Sequence, residues 1–361
     1  MRLVHLSDIH LSASNYTEFK NSCHNALIND LTHFNKSEKP IDLILITGDL
    51  IDKGGHSLKQ LDDYKQSTDP YDFFEKVYIE PICKKLKISK DKFLFVPGNH
   101  DIDENEILWV NEKALIKELN DDNIEKILKE NKFDFNKNNE RIKSFKQFEN
   151  RYHQDNINYI FSNNESVYIH TYKDEKIGFL MINDSWRCST CRIRDFDETH
   201  YIGTQQFYDG KNALERENTV LNIVLLHHNL ADLREQQKIK QILTNHEFEL
   251  MLYGHSHKHE QIMEVSSISA CVGLRGRAAL NYPGETNEPY QTGYQIIDID
   301  IEKYAIESIF PRKYISSKEI YAADVETAPP DGTYILKGHN IYRKDRPTQK
   351  MILKRDDFIV N

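Results

Sequence analysis

Five short apolar runs in this chain stop abruptly on a small turn residue and then present aspartate, asparagine or histidine. The first, Arg2 to Ser7, leads into Asp8-Ile9-His10. Leu43 to Thr47 leads into Gly48-Asp49-Leu50-Ile51-Asp52, and Phe93 to Val96 into Pro97-Gly98-Asn99-His100-Asp101. Asn222 to Leu226 ends in His227-His228-Asn229, and Glu249 to Tyr253 in Gly254-His255-Ser256-His257. Continuous apolar runs of four to six residues read as strands buried on both faces rather than as half-exposed alternating strands. Between them lie stretches with helical spacing, such as Phe19, Cys23, Leu27, Leu31 and Phe34, then Tyr71 to Leu86, Gln205 to Arg216 and Asp232 to Thr244. Strand–helix alternation of this kind predicts α/β layering. In such folds the carboxyl ends of strands gather at one edge, so five ligand-bearing ends far apart in sequence are expected to meet in space.

The chemistry of the set is that of a metal centre. Each piece alone is weak: Gly-Asp after a strand is usually a turn, and two histidines at a strand end can simply be solvated. Taken together, imidazoles and carboxylates arrive at all five ends, nearly always beside a tight-turn residue. Mixed nitrogen and oxygen donors suit Mn, Fe, Zn or Ni better than Ca.

The ordered motifs Asp8-x-His10, Gly48-Asp49, Gly98-Asn99-His100-Asp101, His227 and Gly254-His255-x-His257 resemble those of the calcineurin-like metallophosphoesterase superfamily. The resemblance covers residues 1 to about 275. It implies a four-layer α/β architecture, a β-sandwich flanked by helices, with the site at the strand ends of one edge. It further implies that Asp8, His10, Asp49 and His257 hold one divalent ion and that Asp49, Asn99, His227 and His255 hold a second, Mn being the first choice. A hydroxide shared by the two ions would attack phosphorus, and His100 would contact the phosphate or protonate the leaving alkoxide. Asp52, three residues after Asp49, is the expected partner of His100, with Asp101 as the competing one. Within residues 93–101, Gly98 is read as the sharp turn, Asn99 as the ligand and His100 as the acid. His228 competes with His227 for one ligand place, and Asn229 stands where the family often has proline. Arg275 and Arg277 are candidates for substrate phosphate.

The activity expected is hydrolysis of a phosphodiester in a nucleic acid or a nucleotide. The opening "LVHLSDIHLS" looks like that of nucleases that work with a coiled-coil ATPase in break repair, and equally like that of nucleotide phosphodiesterases. A net charge of -10 excludes general nucleic-acid adhesion but leaves room for a local phosphate site. Protein phosphatases fit less well, because their second motif carries arginine where this chain has Lys53. Two alternatives belong to other classes. One is a binding scaffold of the same fold, which the full ligand set disfavours. The other is a partner-gated effector or defence module whose phosphoesterase domain is the output.

Residues 1–310 read as the phosphoesterase domain, with a helical insertion over about 103–160 that is rich in Lys, Glu, Asn and Asp. Its apolar residues recur at helical spacing, so it is expected to pack on the rim with its charges solvated. Residues 311–361 read as a C-terminal extension, basic at Lys337, Arg343, Lys344, Arg346, Lys350, Lys354 and Arg355; a protein partner could bind there or at the insertion. Five scattered cysteines fit a reducing compartment. Cys188 and Cys191 look like half a zinc knuckle but are read as ordinary thiols. The early charge after Met1 and the lack of a long apolar run place the chain in the cytoplasm with no membrane contact.

Overall fold

Leu43-Ile-Leu-Ile-Thr47 shows how the strands are built. Leu43 and Leu45 enter one core cluster and Ile44 and Ile46 another, all four fully buried. A strand apolar on both sides must be covered on both sides, and this one is. The computed structural model describes residues 1–132, 140–189, 201–245, 248–255, 264–265, 271–280, 291–303, 305–326 and 328–333.

In chain order, β1 (Arg2–Leu6) is followed by helix α1 (His24–Asn35) and β2 (Leu43–Thr47). Helix α2 (Glu80–Leu86) precedes β3 (Phe93–Val96). The expected helix over 71–86 is broken by a π-helical turn, Glu75–Ile79, which ends just before Pro81 and so absorbs the missing proline N–H. Helices α3 (Trp109–Glu118), α4 (Asp121–Asn131) and α5 (Glu140–His153) come next. Strands β4 (Tyr159–Ile160), β5 (Ser166–Tyr172) and β6 (Glu175–Met181) then lead to α6 (Gln205–Arg216). Strand β7 (Leu221–Leu225), helix α7 (Gln236–Asn245) and strand β8 (Leu250–Tyr253) follow. The last strands are β9 (Glu264–Val265), β10 (Val272–Arg275), β11 (Gly293–Asp300), β12 (Ala305–Ile315) and β13 (Ile320–Ala323).

The strands form two sheets, ordered β13-β12-β11-β1-β2-β3 and β4-β5-β6-β7-β8-β10-β9. β1, β2 and β3 are mutually parallel, as are β6, β7, β8 and β10, so each sheet collects its carboxyl ends at one edge. The sheets face each other through Leu3, Leu45, Leu94 and Val96 on one side and Phe179, Ile223, Leu252 and Leu274 on the other. The outer face of the first sheet packs on α1, α2 and α5, and that of the second on α6 and α7. This is the four-layer sandwich expected.

Two differences from the sequence reading have clear causes. The inserted helices do not sit on the rim: Ile142, Phe145 and Phe148 of α5 belong to the main core, with the Phe148 ring stacked 5.0 Å from Phe95 and 5.1 Å from Tyr71. Nor are all their charges solvated. Glu112, Arg141, Lys146 and Glu149 are buried, and each is paired, which is the condition for burying them. The sheet also continues past Pro311. That residue lies within β12 at the end of the pairing with β13: its carbonyl still accepts the N–H of Asp324 at 2.9 Å, and its missing N–H ends the ladder there. Among the described residues no helix is long and apolar enough to cross a membrane.

Three buried histidines give the fold an acid limit. Burial pushes His5 and His153 down to about 3 and His24 to about 4. Their depressed values mean that the unfolded chain takes up protons the folded chain refuses. Stability is therefore complete above about pH 6.5 and falls as pH drops toward 4, by up to about 1.4 kcal/mol per pH unit for each histidine. His153 stacks 3.9 Å from Tyr159, and neither ring nitrogen has a hydrogen-bond partner among the described residues. His153→Phe keeps the stack and cannot titrate. Urea midpoints measured at pH 7 and pH 5 are expected to differ less in the variant than in the wild type; equal differences would remove His153 from the account.

Candidate metal centre

The strand ends converge through their backbones before any side chain is considered. The N–H groups of Ile9 and His10 both donate to the carbonyl of Asp49, at 2.8 Å, and that of Leu11 to Leu50 at 3.1 Å. The N–H of His100 donates to Asp49 Oδ1 at 2.7 Å and that of His255 to Asp8 Oδ2 at 3.2 Å. Asp8, His10, Asp49 and His255 all adopt left-handed backbone, with φ of 51°, 48°, 55° and 68°. Non-glycine residues avoid that region, and four of them clustered at one edge is strain of the kind that functional sites retain.

Glycine serves two different purposes here. Gly48 has φ +89° and a Cβ on it would lie 2.3 Å from His227 Nδ1. Gly98 opens the tight turn expected of it, its carbonyl accepting the N–H of Asp101 at 3.1 Å, but it is not left-handed. It is required because a Cβ would lie 2.2 Å from Asp49 Oδ1.

The side chains then bring lone pairs together. His227 Nδ1 lies 2.8 Å from the carbonyl of Thr47, which can only accept, so Nδ1 carries the proton and Nε2 of the neutral ring is bare. That Nε2 faces Asn99 Oδ1 at 3.0 Å, His255 Nδ1 at 3.2 Å and Asp49 Oδ2 at 3.3 Å. His10 Nε2 lies 3.4 Å from Asp49 Oδ2 and 3.8 Å from Asp8 Oδ1. Ligand atoms of Asp8, Asp49 and His227 lie within 4.8 Å of one another, as do those of His10, Asp49 and His100. Acceptors packed this closely repel unless a positive charge sits among them. Without a metal ion a proton takes that place: burial disfavours a charged His227, yet Asp49, Asp8 and Asp184 outweigh it and raise the ring to about 10, so a cation bound at Nε2 would displace that proton. Burial likewise opposes an ionised Asp49, but His227, His10 and His100 hold it well below the usual carboxylate range. The donor set therefore fits one or two divalent cations, with Asp49 central to both groups.

His100 is arranged differently. Its Nδ1 lies 2.6 Å from Asp52 Oδ1, and its ring meets that of His10 edge-on at 4.4 Å. Burial works against its charged form, but the hydrogen bond to Asp52 and the charges of Asp49 and Asp52 raise its pKa. Asp101 has another occupation. Its carboxylate accepts from the N–H groups of Leu50 and Ile51 and, at 2.9 Å, from that of Gly98, bracing the second and third loops.

The structure thus brings together Asp8, His10, Asp49, Asp52, Asn99, His100, His227 and His255. His257 and Cys191 lie outside the described residues. His228 stays beside the cluster, with a ligand atom within 4.8 Å of those of His227 and His255, while its Nδ1 lies 3.3 Å from Asp184 Oδ2 and its Nε2 3.7 Å from the Sγ of Cys188, a buried thiol whose pKa burial raises. Arg275 stands half-buried at the end of β10, beside Tyr253 in register. Arg277, the other candidate for substrate phosphate, is instead 4% exposed, with Nη1 3.1 Å from Asp324, an internal ion pair. The sequence reading missed Asp184, which accepts the N–H groups of His227 and His228 at 2.9 and 2.7 Å. Its signal was a sixth strand end, Met181-Ile182-Asn183-Asp184, of the same form as the other five.

A metallophosphoesterase-like protein of Bacillus subtilis, YydB, itself uncharacterised, is 25% identical over 265 residues. The match covers 71% of this chain and 49% of that protein, so the chain spans about half the length of the curated relative it matches. Purple acid phosphatase from yellow lupin (Lupinus luteus) seeds aligns at a TM-score of 0.45 and 12% identity, over 89% of this chain and 52% of that one. The NAD nucleotidase of Haemophilus influenzae aligns at 0.41 and 13% identity, over 89% and 59%. The family model described as calcineurin-like phosphoesterase matches residues 1–259. With that match across most of its length, the chain belongs to the calcineurin-like phosphoesterase family.

Proposed function

We propose that this protein is a two-metal phosphoesterase that hydrolyses a phosphodiester in a nucleic acid or a nucleotide in the cytoplasm. Asp8, His10, Asp49 and His257 would hold one ion, and Asp49, Asn99, His227 and His255 the other, with Mn²⁺ preferred. The observation that carries this reading is His227 Nε2, a free lone pair once the ring is neutral, set 3.0–3.3 Å from Asn99 Oδ1, His255 Nδ1 and Asp49 Oδ2. Divalent ions bound there would supply Lewis-acid charge to a phosphate oxygen and a nucleophile at neutral pH. The chain's own groups do the remaining work. Asp52 orients His100 and favours its protonated form, from which the ring would donate a proton to a departing alkoxide. Asp49 also accepts the backbone N–H of His100, which ties the acid to the ligand cluster. Arg275 is offered as a contact for a substrate phosphate.

The test is a substrate panel with Mn²⁺: end-labelled single- and double-stranded DNA, cyclic nucleotides, nucleoside monophosphates, and chromogenic mono- and diesters. Wild type is expected to cleave diesters and Asp49→Ala to cleave none. Monoesters turned over more than tenfold better in kcat/KM would overturn the diester reading, and equal turnover by both proteins would overturn the mechanism.

A further inference from the structure

Asp184 belongs to no metal-ligand motif, yet it is fully buried, and its Oδ2 takes two consecutive backbone N–H groups, those of His227 and His228. A single carboxylate oxygen so placed fixes the turn that follows β7. His227 is then held from two sides, by Thr47 at the ring and by Asp184 at the backbone. The neighbouring Ser185 Oγ donates to the carbonyl of Pro97 at 3.2 Å, just ahead of Asn99. The segment 184–185 therefore spans the two loops that supply Asn99 and His227.

That segment is in turn fastened to the inserted helices. Arg187 is fully buried, and its Nε lies 3.0 Å from Glu112 Oε1 of α3. Arg141 of α5 pairs with the other oxygen of Glu112 and also donates from Nη1 to the carbonyls of Arg187 and Cys188, at 2.9 and 3.1 Å. Two guanidinium groups thus converge on one buried carboxylate. Such a cluster tolerates little displacement, because moving one member leaves a buried charge poorly paired. Among the described residues the Asp8–His10 side is held by the backbone of Asp49, to whose carbonyl the N–H groups of Ile9 and His10 donate.

We propose that Asp184 is a positioning residue for His227, and that α3 and α5 keep it in register through Glu112, Arg141 and Arg187. The Asn99–His227–His255 half of the centre would then depend on the insertion, while the Asp8–His10 half would not. This rests on the two-ion reading above. Ligand-supporting residues of this kind change metal affinity by about 10–100-fold when removed.

The experiment is a Mn²⁺ titration of the full chain, with bound ions counted, electron paramagnetic resonance recorded and thermal unfolding measured on the same samples. Wild type is expected to bind two ions in two steps and to show an exchange-coupled pair. Asp184→Ala should weaken the second step by about tenfold or more, leave the first within twofold, and show the six-line signal of isolated Mn²⁺ at matched loading. Asp184→Asn, whose amide oxygen can still accept both N–H groups, should restore the second step to within about threefold. Arg187→Met leaves Glu112 and Arg141 as a neutral pair, so it keeps the test open should Asp184→Ala not fold; it should weaken the second step selectively as well. An unchanged second step in Asp184→Ala, equal weakening of both steps, or failure of Asp184→Asn to rescue would each overturn the positioning role. Fewer than two ions in the wild type would remove the two-ion reading itself, and this inference with it.

Discussion

Asp49→Ala is expected to abolish metal-dependent hydrolysis, a fall of about a thousandfold or more, or ~4 kcal/mol in transition-state stabilisation. The size follows from how many groups meet at this one side chain. Oδ1 accepts the N–H of His100 at 2.7 Å, and Oδ2 lies 3.4 Å from His10 Nε2 and 3.3 Å from His227 Nε2. No other described residue joins both ligand groups and the candidate acid. Asp49→Asn is the sharper variant: it keeps the size and an oxygen for His100 but removes the negative charge that raises His227. Both variants should bind at most one ion by metal analysis. Two bound ions together with activity within tenfold of wild type would show that Asp49 is not the bridge.

His100→Ala should separate substrates by their leaving groups. For a diester that releases a nucleoside alkoxide, a missing general acid costs about 10²–10⁴-fold in kcat. For a nitrophenyl ester the leaving group departs without a proton, so the same variant should lose less than about tenfold. Bound metal should be unchanged. Asp52→Asn should follow the same pattern at smaller amplitude, because His100 remains but loses the partner that orients it and raises its pKa. Equal losses on both substrates would point to a role for His100 in binding phosphate instead of donating a proton.

The strand-end motifs were legible because their signal is local. Leu43 to Thr47 must be a buried strand by composition, and Gly48 marks its end, where the backbone turns left-handed at φ +89°. The inserted helices were only half legible. Helical spacing showed that they were helices. Whether Lys146 and Glu149 faced solvent depended on each finding the other one turn away inside the core, and a charged residue looks the same in sequence whether it is solvated or paired. Arg277 was misread for the same reason. Its partner, Asp324, is 47 positions later and arrives only when the sheet closes. Pro311 suggested a boundary because proline ends most ladders; here it ends only the pairing with β13.

By itself, then, the sequence determined which chemistry could be assembled: buried parallel strands with imidazoles and carboxylates at their ends, in an order that names a family. Only the tertiary structure decided which of those groups share a centre. Periodicity fixes where a strand stops but carries no information about which carbonyl a distant imidazole will meet. Thr47 sets the tautomer of His227, Asp52 prevails over Asp101 as the partner of His100, and Asp184 holds His227 in place. These contacts join residues 43 to 180 positions apart: Asp52–His100 joins parallel strand ends within the first sheet, Asp184–His227 joins those of the second, and Thr47–His227 exists because the two sheets stack with their carboxyl ends on one edge.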